Sequence, residues 1–238
     1  MDEKIKQLRE MIERSGNIVF FGGAGVSTES GIPDFRSTDG LYRQAYKYRP
    51  EEILSGSFFR ENREEFYRFY HDKMVLGDVQ PNACHRRLAE LEAQGKLTAV
   101  ITQNIDGLHQ AAGSKNVLEL HGTIHKCHCS KCGKQVDPAL VNEVSGVPYC
   151  ECGGVLRPDV VLYEESLSGP VLGAAMDYIR QCDMLIVGGT SLVVHPAAGL
   201  ISYYRGKKLV LINRDPTPYD SYAALCINEK LGDVFSQV

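Results

Sequence analysis

The chain has 238 residues, enough for one large domain or one domain with a small satellite. Hydrophobic residues make up 43% and charged residues 24%, the balance of an ordinary soluble globular protein. With 26 Lys+Arg against 30 Asp+Glu the formal net charge is −4, which argues against a broad nucleic-acid surface, and no apolar run is long enough to cross a bilayer. Met1-Asp2-Glu3-Lys4 leads into a charged amphipathic stretch rather than a signal peptide, so the expected compartment is the cytoplasm. Eight cysteines in such a compartment are not expected to form a disulfide framework.

Taken in order, Ile5, Leu8, Met11 and Ile12 have helical spacing and predict a helix from residue 2 to about 14 that packs on a sheet. Ile18–Phe21 has the length of a buried parallel strand and runs into Gly22, Gly23, Ala24 and Gly25. Such a junction brings backbone N–H groups up to a diphosphate, because glycine removes the Cβ that would block close approach. Gly23-x-Gly25 starts a dinucleotide fingerprint, but Thr28 stands where the third glycine belongs, so a turn without a ligand is an open alternative. Gly31-Ile32-Pro33 is stiff, and Asp34, Phe35 and Arg36 follow with an acid, an aromatic face and a phosphate-binding fork. The expectation is a dinucleotide site unlike that of an ordinary dehydrogenase.

From Ser37 to about Gly77 aromatic and charged residues mix, as in Phe58-Phe59 and Phe66-Tyr67-Arg68-Phe69-Tyr70. They predict amphipathic helices with an aromatic core, or a helical insertion covering the cofactor; the two are compatible. Pro81-Asn82 opens a further helix that ends near Gly95, and Leu97–Thr102 reads as a buried strand. Gln103, Asn104, Ile105 and Asp106 follow at the strand's carboxyl end, where ligands sit in a doubly wound sheet, although an Asx turn and a helix cap at Asp106 explain the pattern as well. Asn116–Leu120 predicts another strand. His121-Gly122 ends it, and a histidine there can accept a proton near neutral pH or be merely structural.

Residues 124 to 156 form a small module. Cys129-x-x-Cys132-Gly133 and Cys150-x-Cys152-Gly153 are separated by a spacer of zinc-ribbon length, and four thiolates suit a structural Zn²⁺ with no open position. Cys127, His125 and His128 compete for a ligand position. Cys84, Cys182 and Cys226 read as small buried hydrophobes. Val160–Tyr163 is an extended apolar run at a possible sheet edge. Met184–Val187 is a strand ending in Gly188-Gly189-Thr190-Ser191, and His195-Pro196 leads into a helix. Leu209–Ile212 is a strand ending in Asn213-Arg214-Asp215, placed to meet a ribose or base edge, and Leu231-Gly232-Asp233 stands near the end of the chain.

Taken together, Gly23-Ala24-Gly25-Val26-Ser27, Gly31-Ile32-Pro33-Asp34-Phe35-Arg36, Thr102-Gln103-Asn104-Ile105-Asp106, His121-Gly122, the cysteine pairs, Gly189-Thr190-Ser191 and Asn213 resemble the sirtuins, the NAD-dependent protein deacylases, in the family's order and over nearly the whole chain. The short second cysteine pair is similar to that of some bacterial members. The resemblance implies an α/β fold: a Rossmann-like parallel-sheet domain (1–36, 78–123 and 157–238), a helical module (37–77) and a zinc ribbon (124–156).

It further implies that Gly23, Ala24, Gly25, Thr28, Phe35, Arg36, Gln103, Gly189, Thr190, Ser191, Asn213, Asp215 and Leu231 hold NAD. Ile105 and Asp106 would hold the nicotinamide amide, His121 would be the general base, and Asn104 would join it in catalysis. Cys129, Cys132, Cys150 and Cys152 would hold Zn²⁺, and Val160–Leu162 with Val193-Val194 would pair with a substrate peptide. The implied reaction releases nicotinamide, moves the acetyl group of acetyl-lysine to ADP-ribose, and is inhibited by its own nicotinamide. Two departures stand out. Leu162-Tyr163-Glu164-Glu165 replaces the usual aromatic residues with Phe-Gly-Glu, and Tyr67 is followed three residues on by Tyr70 rather than by the arginine of members that prefer acidic acyl groups. The second predicts acetyl over succinyl. Mono-ADP-ribosyl transfer and a non-catalytic NAD or ADP-ribose sensor are the competing readings. Partners are expected to be acetyl-lysine proteins or peptides, without membrane or nucleic acid, and the chain is expected to be a monomer.

Overall fold

Short apolar runs become the inner strands of a parallel sheet when both of their faces are covered, and this chain covers both. The computed structural model describes residues 2–34, 47–75 and 77–238. Strands β1 (Ile18–Gly22), β2 (Leu97–Thr102), β3 (Val117–Glu119), β7 (Met184–Gly188), β8 (Lys208–Ile212) and β9 (Leu225–Ile227) form one six-stranded sheet in the order β3-β2-β1-β7-β8-β9, with every pair parallel. This is the doubly wound, Rossmann-like order, and it reverses direction beside β1.

Side chains alternate along β1. Ile18 and Phe20 join one core with Ile5, Leu8 and Ile12 of helix α1 (Asp2–Glu13) and Leu88 and Leu91 of α5 (Ala83–Ala93). Val19 and Phe21 join the other with Ala175 and Ile179 of α8 (Gly169–Gln181) and with Ala197–Ile201. Asn82 caps α5: its side chain accepts from the Cys84 N–H, while the His85 ring accepts from the Asn82 N–H. Its amide also donates to Val26 O at 2.7 Å, which ties α5 to the glycine loop.

A second body stands beside the sheet. Strand β4 (Gly122–Cys129) pairs antiparallel with β5 (Gln135–Val136) and β6 (Leu156–Val160). Helices α2 (Pro50–Ile53), α3 (Gly56–Glu61) and α4 (Arg63–Lys73) supply Phe58, Phe59, Phe66, Tyr67, Phe69 and Tyr70 to a core shared with Ile124, Cys127, Val155 and Leu156. The Tyr67 hydroxyl donates to Leu156 O and that of Tyr70 to Asn142 Oδ1 of α7 (Ala139–Asn142). The aromatic residues are therefore core, and they join the helical segment to the cysteine-bearing segment.

Two sequence expectations shift and one is refined. The strand before the apolar run Val160–Tyr163 is Leu156–Val160, and the run itself is held at its ends, since Val161 N–H donates to His121 O and Tyr163 N–H to Leu54 O. The segment after His195-Pro196 is helical as expected, and of the 3₁₀ type, Ala197–Tyr203. Cys226 is only half-buried, whereas Cys84 and Cys182 are buried as expected. Strand β9 was not anticipated, because Leu225–Ile227 is too short to show a period.

Candidate active site at the strand ends

The carboxyl ends of β1, β2 and β7 meet. Gly23 N–H donates to Gly188 O (3.2 Å) and Gly25 N–H to Gly189 O (2.8 Å). A Cβ on Gly25 would lie 2.7 Å from the Gly189 Cα, so the close approach of the two loops requires glycine. Ala24–Val26 then turns as a 3₁₀ helix, and the Thr28 hydroxyl donates back to Gly25 O. After β2, Gln103 N–H donates to Gly22 O and the Gln103 amide to Thr190 Oγ1 (3.1 Å); Thr190 N–H donates to Asn213 Oδ1 (2.9 Å) beyond β8. One chain of bonds thus crosses the strand ends from β2 to β8.

A second chain centres on Ser27, which is 1% exposed. The Asn104 amide donates to Ser27 Oγ (3.0 Å), which donates to Asp106 Oδ2 (2.6 Å); Asp106 Oδ1 accepts from Leu108 N–H, opening helix α6 (Leu108–Ala111). Asp106 therefore serves as a turn cap and as part of the buried network at once. His121 follows β3. Its Nδ1 faces Gln103 O at 2.9 Å, and a carbonyl only accepts, so Nδ1 carries the proton and the Nε2 lone pair is left for other work. Burial pulls the His121 pKa below the ordinary histidine value, against the opposing pull of the Gln103 carbonyl. The ring is neutral at pH 7, as a base must be.

A recess near these ends is lined by Gly25, Thr28, Gly189, Asn213, Arg214 and Leu231, among others. The buried Asn213 Nδ2 has no hydrogen-bond partner among the described residues. An orphaned amide donor beside a glycine cradle is a demand that a ribose or phosphate oxygen can meet. A broader cleft of about 640 Å³ runs along Asp78, Gln80, Arg86 and Asp233 and includes none of His121, Asn104 and Asp106.

The cysteine site is separate. The four thiol sulfurs of Cys129, Cys132, Cys150 and Cys152 lie within 4.8 Å of one another. The Cys129–Cys152 and Cys132–Cys150 sulfurs are 3.5 and 3.9 Å apart, near the ~3.8 Å edge of a tetrahedron with 2.3 Å zinc–sulfur bonds. The backbone N–H groups of Cys132 and Lys131 point at the Cys129 sulfur and hold its pKa down to about 6, favouring the thiolate that a metal takes. The three competitors are engaged elsewhere: Cys127 is buried in the apolar core, His128 Nδ1 pairs with Asp159, and His125 Nε2 donates to Asp106 O. The donor set fits structural zinc.

Against this geometry, the sequence profile of the Sir2 family matches residues 23–196. This chain belongs to the Sir2 family. It is 52% identical over 99% of its length to an NAD-dependent protein deacetylase of Clostridium acetobutylicum, covering 98% of that protein, and 55% identical over its full length to one of Clostridium perfringens, covering 99%. Its fold is similar to a solved structure of Sir2 with p53 peptide and NAD⁺, at TM-score 0.88 and 39% identity, covering 98% of this chain and 96% of that one. It is likewise similar to a Sir2 complex with deacetylated p53 peptide and 3'-O-acetyl ADP ribose, at TM-score 0.90, 39% identity and the same coverages.

Within this Sir2-family chain, the strand-end cluster gathers Gly23, Gly25, Thr28, Gln103, Asn104, Asp106, His121, Gly189, Thr190 and Asn213. Ala24 sits in the glycine-loop turn, and Ile105 is half-buried against the second body's core. Leu231 is buried, and a Cβ on Gly189 would come within 2.9 Å of it. Ser191 and Asp215 are exposed on the loops beyond Thr190 and Asn213. Phe35 and Arg36 lie outside the described residues. Sequence reasoning missed Ser27 as the hub and His125 as the partner of Asp106. Ser27 carried a faint signal, a hydroxyl two residues past the second loop glycine.

Proposed function

We propose that this chain is an NAD-dependent protein deacetylase that moves the acetyl group of acetyl-lysine to ADP-ribose and releases nicotinamide. The observation that carries this reading is the single cluster in which the neutral His121 ring, the Asn104–Ser27–Asp106 chain and the Gly25–Gly189 contact stand together. Full-length identity above one half to relatives named for that activity supports it. Within it, residues 1–36, 78–123 and 157–238 form the NAD-binding domain, 37–77 the helical module and 124–156 the zinc ribbon.

NAD, when bound, supplies an electrophilic ribose carbon and a nicotinamide leaving group. The chain does the rest. Backbone N–H groups of the glycine loop and the spare Asn213 amide orient the dinucleotide. The Ile105–Asp106 loop holds the departing amide, and Asn104 is held beside it by Ser27. The loop would thereby leave the ribose carbon open to the acetyl oxygen, which would take the place of the departing nicotinamide. His121 Nε2 would take a proton from a ribose hydroxyl, so that its oxygen could attack the former acetyl carbon, with water completing the release of lysine and O-acetyl-ADP-ribose. Holding both substrates in register removes much of the entropic barrier. The cysteine tetrad binds zinc with four protein ligands, leaving no open position for chemistry.

Substrates are acetyl-lysine peptides, paired along Val160–Leu162 and Val193-Val194, in a cytoplasmic compartment consistent with eight cysteines all free of disulfides. Among the described residues, no helix is long and apolar enough to cross a membrane. Acetyl is preferred over succinyl, since the Tyr67 and Tyr70 hydroxyls are committed to Leu156 O and Asn142. Mass spectrometry of an acetyl-lysine peptide with zinc-loaded protein, with and without NAD, tests the reading. Deacetylation with O-acetyl-ADP-ribose only when NAD is present supports it; ADP-ribose added to protein without deacetylation overturns it. Faster turnover of the succinyl peptide would overturn the acyl preference alone.

A further inference from the structure

The loop after β2 is gripped from two sides. From the sheet side, Ser27 and the Leu108 N–H hold the Asp106 carboxylate. From the other side comes β4, the strand that leads into the cysteine module. Ile124 N–H donates to Ile105 O (3.2 Å), and His125 Nε2 donates to Asp106 O (2.9 Å). Both the carbonyl and the carboxylate of one residue are therefore pinned, by groups on different bodies.

The His125 contact is built rather than incidental. Its ring lies directly on Gly107, where a Cβ would come within 2.6 Å of two ring atoms, and Gly107 has φ +71, a conformation that favours glycine. His125 is exposed, so burial of the ring is not what holds it there. It stands outside the cysteine tetrad and is not needed as a ligand. Fixing the Asp106 carbonyl fixes the plane of the 106–107 peptide, and with it the direction in which the loop presents its polar groups.

We propose that His125 is a positioning residue for the nicotinamide end of the site, holding the Ile105–Asp106 backbone in register from the zinc-bearing module. This rests on the assignment of Ile105 and Asp106 to the nicotinamide amide. It makes nicotinamide release and rebinding sensitive to the small module through a residue that is not a member of the cysteine tetrad.

The test compares His125→Gln and His125→Asn in full-length, zinc-loaded protein. Glutamine places its amide nitrogen where Nε2 stands; asparagine stops at the Nδ1 position and cannot reach the carbonyl. His125→Asn should raise the nicotinamide concentration for half-inhibition by about three- to tenfold, the value of one hydrogen bond, and leave KM for the acetylated peptide within about twofold. His125→Gln should restore most of the loss. An unchanged nicotinamide response in His125→Asn, or equal loss in both variants, overturns the proposal. Asp106→Asn separates the two levels. If it alters nicotinamide inhibition while His125→Asn does not, the positioning role alone fails; if neither variant alters it, the nicotinamide assignment fails as well.

Discussion

In the parallel sheet, polar residues stand at the ends of strands whose two faces are covered by separate apolar cores. In the small module, four thiols stand on two knuckles supported by a three-stranded sheet and a core borrowed from the helical segment. The first site draws on a large scaffold; its bonds cross neighbouring strand ends, from side chain to side chain between Gln103 and Thr190 and between side chain and backbone at His121 and Asn213. The second has too little apolar surface of its own and needs a metal to close it. The difference teaches where each region is vulnerable: the sheet site to loss of single chemical groups, the small module to loss of its ion.

Zinc removal should have the largest effect. Chelation, or Cys129→Ser, should unfold residues 124–156 and loosen Tyr67 and Tyr70 with them, because one core serves both segments. Structural zinc is worth on the order of 10 kcal/mol in small domains. Near-UV circular dichroism should collapse and deacetylation should cease, while most of the far-UV signal, which comes from the sheet and its helices, persists. Equal loss of both signals would show that the two regions are one folding unit.

His121→Ala sharpens the contrast from the other side. It removes one ring from a scaffold that does not depend on it, so turnover should fall roughly 10²- to 10⁴-fold while NAD affinity, read by calorimetry, stays within a few-fold. A fully active variant would overturn the assignment of the base. Since burial holds His121 below the ordinary histidine pKa, the acidic limb of the kcat/KM profile should lie below about pH 6.5.

Acid should reach the sheet region through a different pair. His85 and His109 are buried with ring centroids 4.7 Å apart, and burial lowers their pKa values from 6.5 to about 4 and about 3. Both histidines are neutral when folded, and the unfolded chain binds more protons between these values and pH 6.5. Their stabilisation is therefore full above pH 6.5 and lost as pH falls toward 4. The urea midpoint should drop between pH 7 and pH 5, and His109→Leu, which needs no proton, should flatten that drop.

The smallest effect concerns the junction of the two regions. Glu164 has φ +72, unusual for a residue with a side chain, and its carboxylate accepts from Ser57 N–H and Ser57 Oγ at 2.9 Å each, at the start of α3. Glu164→Ala keeps the backbone cost and loses the bonds, so it should be destabilising by about 1 kcal/mol, or ~2–4 °C in Tm. Glu164→Gly should lose less, because glycine relieves the left-handed conformation.

Much of the molecule was legible in advance wherever the signal is local. The apolar runs Ile18–Phe21, Leu97–Thr102 and Met184–Val187 each read as strands because five or six residues suffice to cross a buried sheet. The cysteine spacing announced a tetrad because knuckle geometry is set within a few residues. The run Val160–Tyr163 showed its extended character but not its partners: Val160 ends β6 opposite Gly122, Val161 N–H donates to His121 O, and Tyr163 bridges to Ser55.

What the sequence by itself determined was the order of strands and glycine turns, and which polar residues stand at the strand ends. Local spacing and backbone chemistry are enough for that. Only the tertiary structure decided how those residues are joined: Ser27 to Asp106 across 79 positions, Gln103 to Thr190 across 87, and Asp106 to His125 of the small module. It alone decided that Cys127, His125 and His128 leave the metal to four cysteines, and that Tyr67 and Tyr70 bind the helical segment to the cysteine module. Each of these is a contact between distant parts of the chain. Its partner is chosen by packing, which no local pattern records.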